Sequence, residues 1–135
     1  MKVAIVMGTR PEIIKLSSLI KLLGKNSTVI FTGQHYDYDM SMQFMDELDI
    51  RKPDYSMKLT KLQNSTTDRA TQIGEIVLNL ATIISRIEPD TVIVQGDTNT
   101  VLAAAITGIK CGVPVSHVEA GLTSYAWRMP DQTTL

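Results

Sequence analysis

The sequence predicts an α/β fold, a parallel sheet with helices on both of its faces. Three observations carry that prediction. Short apolar runs recur at Val3-Ala4-Ile5-Val6-Met7, Val92-Ile93-Val94 and Val113-Pro114-Val115, as expected of strands covered on both sides. Each run leads into a polar, glycine-containing turn: Gly8-Thr9-Arg10-Pro11-Glu12, Gln95-Gly96-Asp97-Thr98-Asn99-Thr100, and His117-Val118-Glu119-Ala120-Gly121-Leu122. Between the runs lie segments of helical periodicity, giving the order β-α-β-α-(β)-α-β-α-β. Right-handed crossovers then predict a strand order of 3-2-1-4-5.

The elements follow in turn. After the first strand, Thr9 and Glu12 match a capping box, in which each side chain satisfies the other residue's backbone N–H. Pro11 sits in the first turn, where its missing donor would have had no partner. Ile13, Leu16, Ile20 and Leu23 form the buried stripe of a helix ending near Gly24. Thr28-Val29-Ile30-Phe31-Thr32 is a second strand, ended by Gly33-Gln34-His35. Tyr36 to Leu48 is predicted helical, with Met40, Phe44, Met45 and Leu48 inward. Tyr55-Ser56-Met57-Lys58-Leu59 is predicted as a short edge strand, and 62–67 as a polar loop.

The longest helix runs from about Ser65 to Ile87, with Ile73, Ile76, Val77, Leu80, Ile83, Ile84 and Ile87 on one face. Glu88-Pro89-Asp90 stops it. A strand over 91–95 and an alanine-rich helix from about Thr98 to Lys110 follow. Gly112-Val113-Pro114 turns the chain into a last strand, expected to be buried. Residues 1–122 are thus predicted to form one domain, and 123–135 a loop or irregular tail.

A chain of 135 residues supports one domain. A net charge of −1 argues against non-specific nucleic-acid binding, which needs a basic stripe. The single Cys111 excludes a disulfide framework and fits a reducing compartment. No apolar run approaches the roughly 18 residues of a membrane span, and the N-terminus lacks a signal-peptide core. The expected location is the cytoplasm, with neither nucleic acid nor membrane as partner.

In open α/β sheets, ligands bind beyond the carboxyl ends of the strands, which would set Arg10, Asp97 and Glu119 along one rim. Helix N-termini at 9–12 and 97–100 suit an anion, and Arg10 adds a planar bidentate donor for phosphate or carboxylate. Neither a Gly-x-Gly-x-x-Gly fingerprint nor a P-loop is present. Each candidate has a plainer reading beside it. Lys15 is off the buried stripe and by itself reads as a solvated lysine. Asp97 reads as a helix N-cap, and His35 as facing the cleft or capping a turn. His117 and Glu119, two apart, share a face of an extended segment; as a metal pair they lack a third ligand, and no metal or cofactor is expected.

Taken together, Gly8-Thr9-Arg10-Pro11-Glu12, Gly33-Gln34-His35, Gly96-Asp97-Thr98, His117-Val118-Glu119-Ala120-Gly121-Leu122 and Arg128-Met129-Pro130-Asp131 resemble the motifs of UDP-N-acetylglucosamine 2-epimerases in order and spacing. That resemblance implies a Rossmann-like domain, the N-terminal half of a GT-B-like architecture with the active site between two domains. It implies an isomerase that interconverts UDP-N-acetylglucosamine (UDP-GlcNAc) and UDP-N-acetylmannosamine (UDP-ManNAc). Mapped by motif, Asp97, Glu119 and Asp131 fall on the family's acidic catalytic positions. Arg10 and Lys15 fall on sugar-nucleotide contacts, and Gln34, His35 and His117 join them as substrate-binding positions.

This sequence departs from the family pattern in three places. Thr123 stands where the family has Arg, Asp131 where it has Glu, and the chain reads Gln132-Thr133-Thr134-Leu135 where Asn-Arg normally follows the motif. The chain has about a third of the family's length, so the expectation is a polypeptide inactive without a second domain from another chain. A split subunit, a degenerate half-gene and a truncated product are all open. Self-association is expected as well. The competing readings are a non-catalytic oligomerising or regulatory remnant of the fold, and the first domain of another GT-B-type enzyme.

Overall fold

The computed structural model describes residues 1–33, 38–59 and 66–118. Nine principal elements alternate along them: β1 (Val3–Met7), α1 (Arg10–Leu23), β2 (Ser27–Phe31), α2 (Tyr38–Glu47), β3 (Tyr55–Ser56), α3 (Thr66–Ile87), β4 (Thr91–Gln95), α4 (Asn99–Cys111) and β5 (Val115–Val118). The strands form one parallel sheet of order β3-β2-β1-β4-β5, the order that the crossover rule predicts.

Alternation along the strands divides the core in two. Val3, Ile5 and Met7 of β1, with Val29 and Phe31 of β2, pack against Ile13, Leu16 and Ile20 of α1 and Met42 and Met45 of α2. Ala4, Val6, Ile30, Val92 and Val94 point to the other face, against Ile76, Leu80 and Ile84 of α3 and Val101, Ala103 and Ala104 of α4. All five residues of β1 are buried, because helices cover both faces of this central strand.

Two side-chain expectations are corrected. Met40 is 49% exposed, and Met42 is buried in its place beside Met45. Phe44, Met45 and Leu48 face the core as expected; only the first position differs, because 42 and 45 also lie on one helical face and that face meets α1. The last strand is also less buried than expected. In β5, Val115, His117 and Val118 are half-buried and Ser116 is exposed, since among the described residues β5 has β4 as its one strand neighbour.

Glycine terminates α4 for a geometric reason. Gly112 has φ 72° and ψ 25°, the left-handed conformation that costs glycine least, and Val113 N–H donates to the Gly108 carbonyl at 2.8 Å. This closure brings β5 so close to α4 that a Cβ on Gly108 would sit 2.3 Å from Val115 Cγ2. Gly108 is therefore a close-approach glycine as well as part of the helix end.

The register fixes where the strands end. Met7 pairs with Phe31, and Gln95 with Val118. The turns at Gly8, Thr32-Gly33 and Gly96 consequently open on one edge of the sheet.

Candidate functional site at the carboxyl edge of the sheet

From β1 the chain moves outward to β2 and β3, then returns to place β4 on the other side of β1. The carboxyl ends of β1 and β4 thus flank a topological switch point, the usual ligand crevice of such sheets. Helix α1 leaves β1 over one face and α4 leaves β4 over the other. The two turns at their N-termini form the floor between them.

Glu12 joins those turns. Its side chain is 1% exposed. Oε1 accepts hydrogen bonds from the Gly8 N–H at 2.8 Å, the Thr9 N–H at 2.9 Å and the Thr9 hydroxyl at 3.0 Å. Oε2 accepts from the Thr98 hydroxyl at 2.8 Å. The capping box expected at Thr9 and Glu12 is present, and the same carboxylate reaches across to α4. The consequence for anion binding is direct. The amides of Gly8 and Thr9 are already occupied by an internal carboxylate, so Arg10 is the cationic group that this turn presents outward.

Burial raises the Glu12 carboxyl above its ordinary value near 4.5, opposed by the hydrogen bonds from Gly8, Thr98 and Thr9. A carboxyl raised in the fold is more easily protonated there than in the unfolded chain, so its contribution to stability is fully present below about pH 4.5. That contribution is lost as pH rises through the raised folded value. We predict that wild type loses stability relative to Glu12→Gln as pH rises from 4 to 8 in denaturant titrations. A stability difference independent of pH would contradict this.

The β4–α4 turn is fastened at successive residues to different elements. The Gly96 carbonyl accepts from His117 Nε2–H in β5, and Thr98 donates to Glu12 in α1. Asn99 Nδ2 donates to Gln72 Oε1 in α3 at 2.8 Å. Thr100 and Thr32, both fully buried, pair through their hydroxyls at 2.9 Å across the end of β1. Asp97 is the exception: it is exposed and has no hydrogen-bond or ion-pair partner among the described residues. Its reading as the N-cap is corrected, because Thr98 occupies that position with extended backbone (φ −80°, ψ 173°). Asp97 lies one residue before the cap.

Arg10 and Lys15 are exposed on α1. The Arg10 guanidinium carbon lies 5.6 Å from the centroid of the Phe44 ring on α2, within cation–π range. His117 lies in β5, its Nε2 engaged by the Gly96 carbonyl. Arg10, Asp97 and His117 thus belong to one sheet edge, with Lys15 one turn further along α1 than Glu12. Gln34, His35, Glu119 and Asp131 lie outside the described residues. The bridging roles of Thr98, Thr100, Thr32 and Asn99 were not anticipated; their partners are 86, 68 and 27 residues away in sequence, and only the clustering of polar side chains at 97–100 hinted at them. Among the described residues no three His, Cys, Asp or Glu side chains gather as a metal site, and no helix is long and apolar enough to cross a membrane.

Comparison with known proteins bears on the family and the fold. A family model described as UDP-N-acetylglucosamine 2-epimerase matches residues 22–134. The UDP-N-acetylglucosamine 2-epimerase of Methanococcus maripaludis is 41% identical over 133 residues, covering 98% of this chain and 35% of the relative. A crystal structure of the Methanocaldococcus jannaschii UDP-GlcNAc 2-epimerase in complex with UDP-GlcNAc and UDP superposes with a TM-score of 0.85 at 39% identity, over 99% of this chain and 36% of that one. The Neisseria meningitidis UDP-GlcNAc 2-epimerase bound to UDP-GlcNAc gives a TM-score of 0.83 at 34% identity, over 99% and 37%. The chain spans about 35% of the length of the first of these relatives. It belongs to the UDP-N-acetylglucosamine 2-epimerase family.

Proposed function

We propose that this chain is the N-terminal nucleotide-sugar domain of a UDP-GlcNAc 2-epimerase, interconverting UDP-GlcNAc and UDP-ManNAc once a second domain closes the cleft. The observation that carries the reading is the switch point of the sheet, where Arg10 and the exposed Asp97 stand on two turns tied together by Glu12. The likeness to relatives whose structures hold UDP-GlcNAc supports it.

The chemistry explains why several carboxylates are needed. The C2 proton of the sugar is not acidified by a carbonyl, so direct abstraction is slow. Cleavage of the anomeric C–O bond builds oxocarbenium character, which a nearby carboxylate stabilises. A base takes the C2 proton, the C1–C2 double bond forms, and UDP leaves with the electron pair of the C–O bond, giving 2-acetamidoglucal. Re-addition of UDP at C1 with protonation of C2 from the opposite face yields the epimer. Two faces require two acid/base positions.

In this reading Asp97, Glu119 and Asp131 supply the acid, base and charge-stabilising groups. Arg10 and Lys15 bind the diphosphate. Gln34 and His35 are assigned to substrate binding by the family resemblance, and His117 contributes by holding Gly96. UDP needs positive charge more than a strong acid to depart, which suits Arg10 and Lys15. The second domain, on the same polypeptide or another, supplies the uridine contacts in a GT-B-like arrangement. The setting is the cytoplasm, with self-association of the chain as a further expectation that light scattering tests: a monodisperse monomer at high concentration contradicts it.

The chain of residues 1–135 by itself is expected neither to epimerise UDP-GlcNAc nor to bind it tightly. NMR monitoring of the sugar anomeric signals over hours tests this. Turnover by the 135-residue chain at rates typical of enzymes, about 1 s⁻¹ or faster, would refute the requirement for a second domain.

A further inference from the structure

We propose that Glu12 is a positioning residue, its carboxylate acting as a rigid bridge that sets the β1–α1 turn against the β4–α4 turn and so fixes Arg10 relative to Asp97. This rests on the function proposed above, but the bridge itself is testable without it.

The two oxygens of Glu12 divide the task. Oε1 takes all of its donors from the β1–α1 turn, and Oε2 takes the Thr98 hydroxyl from the β4–α4 turn. The carboxylate is planar and almost wholly buried, so movement of one turn is transmitted to the other through a short, stiff link. A bond of this kind is needed at a switch point, because α1 and α4 diverge to opposite faces of the sheet. Helix-to-helix packing therefore does not hold their N-termini in register. Thr98 uses its hydroxyl on Glu12 and makes no side-chain bond to its own helix, giving up the usual N-cap interaction. That exchange fits a threonine whose role is the link between turns. Asp97, directly before it, and Arg10, two residues before Glu12, are the exposed groups that the link orients.

The discriminating experiment uses the full chain with three forms of position 98. Thr98→Val keeps the shape and removes the hydroxyl, whereas Thr98→Ser keeps the hydroxyl. Amide hydrogen exchange is followed by NMR. Losing a hydrogen bond to a charged group should speed exchange of the Gly8 and Thr9 amides about tenfold in Thr98→Val, though neither amide contacts Thr98. Thr98→Ser should stay within about twofold of wild type. A role confined to the start of α4 would change exchange there alone; unchanged Gly8 and Thr9 rates in Thr98→Val, in a variant whose spectrum shows it folded, overturn the bridge.

Titration of the same samples with UDP supplies the second reading. Shifts at Arg10 and Asp97 in wild type, weakened in Thr98→Val and restored in Thr98→Ser, support positioning of the site. If UDP shifts neither turn in wild type even with a complementary second domain supplied, the nucleotide-sugar reading fails, and the exchange data still decide the bridge.

Discussion

Replacing Glu119 with Gln, in this chain supplied with a complementary second domain, is expected to lower turnover by about 10²–10⁴-fold, the range for loss of an acid/base group. The substitution keeps size and hydrogen-bonding capacity and removes the charge and the titratable proton. Asp97→Asn should also lower turnover, by less than Glu119→Gln. The structure makes that second variant easier to interpret. Asp97 is not the N-cap of α4, Thr98 is, and Asp97 has no hydrogen-bond or ion-pair partner among the described residues, so its replacement removes no described structural contact. Asp131→Glu restores the side chain typical of the family and should hold or raise activity. Equal turnover by Glu119→Gln and wild type, measured by coupled assay, would sink the proposed chemistry.

The largest effect on stability is expected at Leu80. It is fully buried on α3, in the cluster that joins α3 and α4 to the sheet. Leu80→Ala removes apolar contacts and leaves a cavity that the rigid strands β1 and β4 fill poorly. The expected loss is about 2–5 kcal/mol, a melting temperature lower by roughly 8–20 °C. Leu78, two residues earlier and 72% exposed, is the internal control. Leu78→Ala should change stability by less than about 0.5 kcal/mol. Similar losses at both positions in calorimetry would mean that the orientation of α3 is misread.

The architecture was legible because its signals are local. Val3–Met7 and Val92–Val94 are apolar without alternation, which places helices on both faces. The single crossover to β4 then leaves one strand order. The helix bounds of α1, α3 and α4 fall within a residue or so of the sequence reading, since Thr9-Arg10-Pro11-Glu12 and Gly112 are explicit start and stop signals. Where two phases or two caps fit the pattern, the sequence reading took Met40 and Asp97, and the fold takes Met42 and Thr98. Met40 and Met42 both complete a helical stripe, and contact with α1 selects Met42. Asp97 and Thr98 are both residue types that suit a cap, and the extended backbone of Thr98 directly before Asn99 makes Thr98 the N-cap.

The site was legible to a smaller degree. Arg10 and Asp97 were predicted to share an edge, and the register brings their turns there. The resemblance pointed to Glu119, Asp131, Gln34 and His35, which lie outside the described residues. The polar web beneath the turns could not be foreseen. Glu12 to Thr98 and Thr32 to Thr100 are meetings of residues far apart in sequence, created by the parallel sheet rather than by any periodicity. His117 shows the same limit from the other side. As a sequence it is a histidine beside a carboxylate, and in the fold its Nε2 is spent on the Gly96 carbonyl.

The central claim is that this edge, once completed, removes the C2 proton by elimination and returns one from the opposite face. Epimerisation in D₂O by the complemented protein tests it most directly, with the C2 position of the product read by NMR and mass spectrometry. The account predicts UDP-ManNAc carrying deuterium at C2, together with 2-acetamidoglucal and UDP released as minor products. UDP-ManNAc that retains the original hydrogen at C2 would contradict it.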